Sequence, residues 1–157
     1  MRLKGKVSII TGGASGIGKA TVLKFAQEGA IVAVCDLNQE TIDATVNEVK
    51  AAGGEAVGYI VNVTNKSQIN DMVADVKARF GRIDVLVNNA GIVQDAQLTK
   101  MTDEQFDLVI DINLRGVYNC AKAVVDTMVA QGGGVILNAS SVVGVYGNFG
   151  QTNYAAT

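Results

Sequence analysis

Val7-Ser8-Ile9-Ile10-Thr11-Gly12-Gly13-Ala14-Ser15-Gly16-Ile17-Gly18 is the stretch on which the reading of this chain turns. It opens with a short continuous apolar run, the mark of a strand buried on both faces. Three spaced glycines follow, and then a helical stretch, Ser15–Glu28, that stops at Gly29. A glycine turn between a buried strand and a helix lets the backbone come close to a ligand. It also presents the free N–H groups of the helix N-terminus to an anion such as a pyrophosphate. The spacing Gly12-x3-Gly16-x-Gly18 departs from the G-x-G-x-x-G fingerprint, so its position after the first strand carries the argument. The competing reading is a glycine-rich turn kept for packing alone.

Working outward, the same alternation repeats. Ile31–Cys35, Ala56–Val61, Ile83–Val87 and Val135–Ala139 read as further strands. Between them, Gln39–Ala52 is helical. A helix capped by Thr64 carries Ile69, Val73, Val76 and Phe80 and ends at Gly81. Thr102 with Gln105 forms a capping-box pattern opening a long helix whose expected inner stripe is Phe106, Ile110, Leu114, Val117, Ala121, Val124 and Met128. A glycine-rich loop runs to Gln151, and a last helix begins near Thr152. The order predicts an α/β fold: a Rossmann-type, doubly wound parallel sheet of five strands with right-handed crossovers, in one domain spanning 1–157.

Composition narrows the chemistry. The 157 residues contain no His, no Pro and no Trp, and only two cysteines, Cys35 and Cys120. Histidine catalysis and His-ligated or Cys-rich metal centres are therefore excluded, and no metal is expected. A formal net charge of −2 gives no electrostatic drive toward nucleic acid or an anionic membrane, and neither is expected as a partner. There is no apolar signal core at Met1–Lys6 and no run long enough to span a bilayer. Two distant thiols suit a reducing compartment, and the expectation is a cytoplasmic protein.

Asp36 closes the second strand, 18 residues after Gly18. A carboxylate there can accept hydrogen bonds from the adenine ribose hydroxyls of NAD and would repel a 2′-phosphate. No Arg or Lys stands beside it, and the loop holds Ser15, so NAD is expected over NADP. The competing reading makes Asp36 a solvated turn residue.

The motifs taken in order resemble the short-chain dehydrogenase/reductase family. They are the loop Thr11–Gly18, Asn62-Val63-Thr64 after strand three, Asn88-Asn89-Ala90-Gly91 after strand four, Asn113 in the long helix, and Ser141 thirteen residues before Tyr154. The stretches from Gly81 to Gly91 and from Ser141 to Asn148 are most similar to the 3-oxoacyl-[acyl-carrier-protein] reductase branch. The resemblance implies hydride transfer between a nicotinamide cofactor and a carbonyl or secondary alcohol, with an acyl thioester as one substrate class. It places Gly12, Ser15, Gly16, Ile17, Gly18 and Asp36 on the cofactor, Asn62 and Val63 against the adenine, and Asn89, Ala90 and Gly91 on the ribose side. An equal reading of the asparagine pair is structural, as amides tying strands together. The branch usually prefers NADPH, against what Asp36 implies, so a small-alcohol, sugar or hydroxyacyl dehydrogenase stays open beside it.

For the chemistry, the resemblance assigns proton transfer to Tyr154, which also touches the cofactor, oxygen orientation to Ser141, and a water-mediated proton path to Asn113. Ser141 could equally cap a turn, and Tyr154 could be an ordinary core-edge tyrosine. Asn113, beside an apolar stripe, must find a partner or carry a burial penalty of about 1–3 kcal/mol. A tyrosine of ordinary pKa near 10 also needs a cation beside it. The family's motif is Tyr-x-x-x-Lys, and the sequence closes at Tyr154-Ala155-Ala156-Thr157. The expectation is an N-terminal portion of a longer enzyme, inactive alone, with the C-terminal part of the fold missing. Its fifth strand would be an exposed edge, and it would tend to form a homo-oligomer. Two other classes stay open: an NAD-binding half-domain without chemistry, and a flavodoxin-like interaction domain.

Overall fold

The computed structural model describes residues Met1–Thr157. Five strands, β1 (Val7–Thr11), β2 (Ile31–Asp36), β3 (Glu55–Ile60), β4 (Val85–Asn88) and β5 (Val135–Asn138), form one sheet in the order β3-β2-β1-β4-β5, every pairing parallel. The chain winds outward from β1 to β3, returns to β4 on the other side, and continues to β5. The strand order thus reverses between β1 and β4, and a crevice opens above their C-terminal ends.

Alternation along the strands supplies two cores. On one face, Ile9, Ala33, Cys35 and Leu86 pack with Ile69, Met72, Val73 and Val76 of α3 (Lys66–Phe80) and with Cys120, Val124 and Met128 of α5 (Gly116–Ala130). On the other face, Ile10, Val32 and Val34 pack with Val22 and Ala26 of α1 (Gly16–Gln27) and with Ile42, Val46 and Val49 of α2 (Gln39–Ala51). The N-terminal ends of β1 and β4 are tied by buried Asp84, which accepts from Val7 N–H at 2.9 Å, Lys6 Nζ at 3.1 Å and both arms of Arg82 at 2.7 and 2.6 Å.

Five local expectations are corrected. Thr64 does not cap α3. Asn65 does, accepting from Ser67 and Gln68 N–H, while the Thr64 hydroxyl turns to Asn62 Oδ1. β4 starts at Val85 rather than Ile83, because the Gln131 side chain takes up both backbone groups of Ile83. The capping box at Thr102 is present and opens α4 (Asp103–Ile110), but the long helix is interrupted by a π-helical turn, Asp111–Arg115, before α5. Its inner face is also displaced in part: Val124 and Met128 are buried as expected, but Phe106 and Leu114 are exposed, and Val109, Gly116, Asn119, Cys120 and Thr127 are buried. Apolar residues surround this helix, so hydrophobicity alone does not mark the inward side. Finally, the glycine-rich loop contains a short helix, α6 (Val143–Tyr146), before α7 (Thr152–Ala155). β5 is a sheet edge, with Val135 and Leu137 about half exposed.

Candidate active site

The crevice above β1, β2 and β4 is a cleft of about 370 Å³. Gly12, Ser15, Gly16, Ile17, Asp36, Asn62, Val63, Asn89, Ala90 and Gly91 line it, joined by Leu37, Val61, Ile92 and Ile112, which the sequence motifs do not single out. Of the cofactor residues expected from the sequence, Gly18 and Tyr154 do not line this cleft. Asp36 is its only charged lining residue.

The glycine loop is held by its neighbours. Gly13 N–H donates to Cys35 C=O at 3.0 Å, and Ala14 N–H donates to Asp36 Oδ2 at 3.0 Å. Gly12 has φ +61°, and a Cβ on it would press on Ala90 and on the Asn89 amide at 3.0 Å. A Cβ on Gly18 would fall on Gly12 C=O, which explains a glycine outside the cleft: it lets α1 start directly against the turn. Gly16, at φ +51°, has nothing within 4 Å of where a methyl group would sit, so the space beside it is open toward the cleft. Ser15 makes no capping bond and the first turn of α1 carries no acidic residue. Those N–H groups are thus without a side-chain cap beside open space, a cradle that suits a phosphate.

Both asparagines of the pair make structural bonds, and Asn89 also lines the site. Asn89 Nδ2 donates to Thr11 C=O at 3.1 Å and Gly12 C=O at 3.2 Å, and the Thr11 hydroxyl accepts from Asn89 and Ala90 N–H at 3.0 and 3.1 Å. Asn88 donates to Asn138 Oδ1 across β4 and β5 at 2.9 Å. Asp36 also accepts from Leu37 N–H at 2.8 Å, so it is a built part of the loop rather than a free turn residue. Asn62 Oδ1 closes its own turn onto Thr64. Val63 is buried, with its carbonyl held by Asn119 Nδ2 at 3.1 Å. Asn119 is a residue sequence reasoning passed over; the burial argument used for Asn113 would have found it.

Asn113 lies in the π-helical turn and finds its partner in the β4–α4 loop. Its Oδ1 accepts from Ile92 N–H at 2.9 Å, and its Nδ2 donates to Ile92 C=O at 3.0 Å and to Thr157 Oγ1 at 3.4 Å. Ser141 Oγ accepts from Val143 N–H at 3.2 Å and so caps the turn into α6. Tyr154 is half-buried on α7, and α6 packs against that helix. No hydrogen bond joins Ser141 or Asn113 to the Tyr154 phenol. Both thiols are buried: burial pushes Cys35 far above the ordinary range and Cys120 up to about 12, so neither serves as a nucleophile. No helix is long and apolar enough to cross a membrane.

Comparison with known proteins agrees with this architecture. A family profile described as short chain dehydrogenase matches residues 6–157. A 3-oxoacyl-[acyl-carrier-protein] reductase of Thermotoga maritima is 55% identical over 157 residues, covering 100% of this chain and 64% of the relative. The corresponding protein of a Synechocystis species is 45% identical over 155 residues, 98% of this chain and 63% of the relative. The crystal structure of a short-chain dehydrogenase/reductase from Burkholderia xenovorans superposes with a TM-score of 0.94 at 36% identity, over 99% of this chain and 64% of that one. The chain therefore spans a little under two thirds of the length of these relatives. With the motifs, the sheet order and the cleft in agreement, this chain belongs to the short-chain dehydrogenase family.

Proposed function

We propose that this chain is the dinucleotide-binding portion of an NAD-dependent oxidoreductase. The reaction moves a hydride between the nicotinamide and a carbonyl or secondary alcohol, with 3-oxoacyl thioesters as the substrate class. The observation that carries the reading is the cleft: an uncapped helix N-terminus on one side, and Asp36 as the only charged lining residue on the other. The substrate class rests on the names of the reductase relatives.

The nicotinamide supplies the hydride when bound. The first-turn N–H groups of α1, around Ser15, Gly16 and Ile17, hold the pyrophosphate, with Gly18 allowing the helix to begin there. Asp36 accepts from the ribose hydroxyls. Asn62 and Val63 face the adenine, and Asn89, Ala90 and Gly91 the second ribose. Tyr154 exchanges a proton with the substrate oxygen, Ser141 orients that oxygen, and Asn113 holds the Ile92 backbone beside the proton path. No lysine accompanies the phenol among these residues, and a tyrosine of ordinary pKa is a poor acid/base near neutrality. The 157-residue polypeptide by itself therefore binds NAD and turns over little. This same feature favours a second reading, an NAD-binding half-domain completed by another segment. Partners are the small-molecule substrate and further copies of the chain, in a cytoplasmic setting.

Titration calorimetry with NADH, paired with an assay of NADH consumption against a 3-oxoacyl thioester, tests this. NADH binding with slow turnover is expected; absence of NADH binding refutes the reading.

A further inference from the structure

Tyr154 sits on a four-residue helix, Thr152–Ala155, whose N-cap residue makes no side-chain capping bond to the helix. A single turn has no stability of its own. Something else must fix the phenol, and the residue before it, Asn153, is built to do so. Its side chain is fully buried at 0% exposure. Nδ2 spends its two hydrogens on Gln94 C=O at 3.0 Å and Gln105 C=O at 3.1 Å, and Oδ1 accepts from Tyr154 N–H at 2.8 Å. Two donors and one acceptor in this geometry are what an asparagine offers; no other side chain of that length supplies them.

The contact reaches further than α7. Gly150 C=O accepts from Ala96 N–H at 2.9 Å, and Gln151 Nε2 donates to Asp95 at 3.0 Å. The segment Ile92–Ala96 is thus a strap. Asn113 grips it at Ile92, and the loop that carries Tyr154 grips it at Gln94 to Ala96.

We propose that Asn153 is the positioning residue for Tyr154. By anchoring α7 to the strap and to α4, it sets the phenol relative to Asn113 and the mouth of the cleft. This rests on the reading of Tyr154 as the proton-exchanging group. Asn153 makes no hydrogen bond to a residue that lines the cleft, so it governs the placement of the phenol and leaves the glycine-loop and Asp36 contacts to the dinucleotide untouched.

The test uses the whole chain with ring-¹³C-labelled tyrosine, whose four signals are few enough to separate. Tyr154→Phe identifies the Tyr154 signal. In Asn153→Ala that signal is expected to move or broaden, while Tyr59 and Tyr118 stay in place and NADH affinity stays within about twofold, as for independent sites. Asn153→Asp turns a carboxylate against two carbonyl oxygens at neutral pH. Acidification returns one O–H donor, so its Tyr154 signal is expected to move back toward the parent position as pH falls; the parent, whose Asp95 carboxylate holds the same loop through Gln151 Nε2, is titrated alongside, and the shift counted is that beyond the parent's own. If Asn153→Ala does not fold, that titration carries the test. A Tyr154 signal at the parent position in both variants at neutral pH overturns the proposal. Single-turnover hydride transfer from bound NADH separates the two readings. Parent-like transfer in Tyr154→Phe removes the role of the phenol. Loss in Tyr154→Phe with parent-like signal and rate in Asn153→Ala removes only the role of Asn153.

Discussion

The charge on Asp36 offers the sharpest test of how the cleft selects its ligand. Its two oxygens accept from Ala14 and Leu37 N–H at 3.0 and 2.8 Å, and no Lys or Arg lines the cleft. A 2′-phosphate placed there would meet this carboxylate with no cation to offset it. Unit charges about 4 Å apart repel by about 1 kcal/mol in water and about 4 kcal/mol at an effective dielectric near 20. The cleft is open to solvent on one side, so a value of about 1.5–3 kcal/mol is appropriate, or roughly a 10- to 150-fold preference for NADH over NADPH. Asp36→Asn removes the charge but keeps an oxygen for Ala14 N–H. NADH binding should weaken by about tenfold through loss of a charge-assisted hydrogen bond, NADPH binding should tighten, and the preference should shrink to about fivefold or less. Titration calorimetry with both nucleotides at two salt concentrations reads this directly. The parent's preference should fall as salt rises and that of Asp36→Asn should not. Equal affinity of the parent for the two nucleotides, or a parallel loss of both in Asp36→Asn, would refute the electrostatic reasoning.

Two further perturbations address stability and the loop. Burial raises the Asp84 carboxyl, but the Arg82 guanidinium, Val7 N–H and Lys6 outweigh it and hold the group at about 2, against an ordinary 3.8. A depressed carboxylate stabilises the fold above its unfolded value and loses that contribution as pH falls from about 4 toward 2. The amount is about 2 kcal/mol or somewhat less, because Arg82 and Lys6 are half exposed. Denaturant unfolding should show this slope in the parent and not in Asp84→Asn; identical slopes would count against the argument. In Gly18→Ala the new methyl falls on Gly12 C=O and 2.6 Å from Asn89 Nδ2, both parts of the loop framework. It should cost about 1–3 kcal/mol and weaken NADH binding at least about tenfold. Gly144→Ala, whose methyl meets only Ala155 C=O at 3.8 Å, should melt like the parent, and equal melting of the two variants would exclude the steric account.

Much of the fold was legible because its signals are local. Val7–Thr11 is buried at every position, with Val7, Ile9 and Ile10 supplying the apolar signal, and Gly81 ends α3 in the left-handed conformation expected of a helix stop, at φ +75°. The glycine loop and Asp36 were readable for the same reason: backbone freedom and charge are properties of single residues. The inner face of α5 was legible only in part. Val124 and Met128 lie on the expected stripe, but the face also carries Thr127, and Gly116 and Asn119, which look like outward-facing residues until Val63 is brought against them; a Cβ on Gly116 would lie 2.6 Å from the Val63 side chain, and Asn119 Nδ2 donates to Val63 C=O.

The alternation of strands and helices, the phosphate-suited turn, the absence of histidine and metal-cluster chemistry and the family motifs are all written in the order of the residues. Folding decided who meets whom. It paired Asn113 with Ile92, turned Ser141 Oγ onto Val143 N–H at the start of a helix that the loop did not announce, joined Asp36 to Ala14 across 22 positions, and buried Asn153 against two carbonyl groups of distant segments. The reason is that an amide or hydroxyl carries no directional signal along the chain. Its role is set by the backbone groups that folding places within reach, and for Asp36, Asn113 and Asn153 those come from segments 21 to 59 residues away.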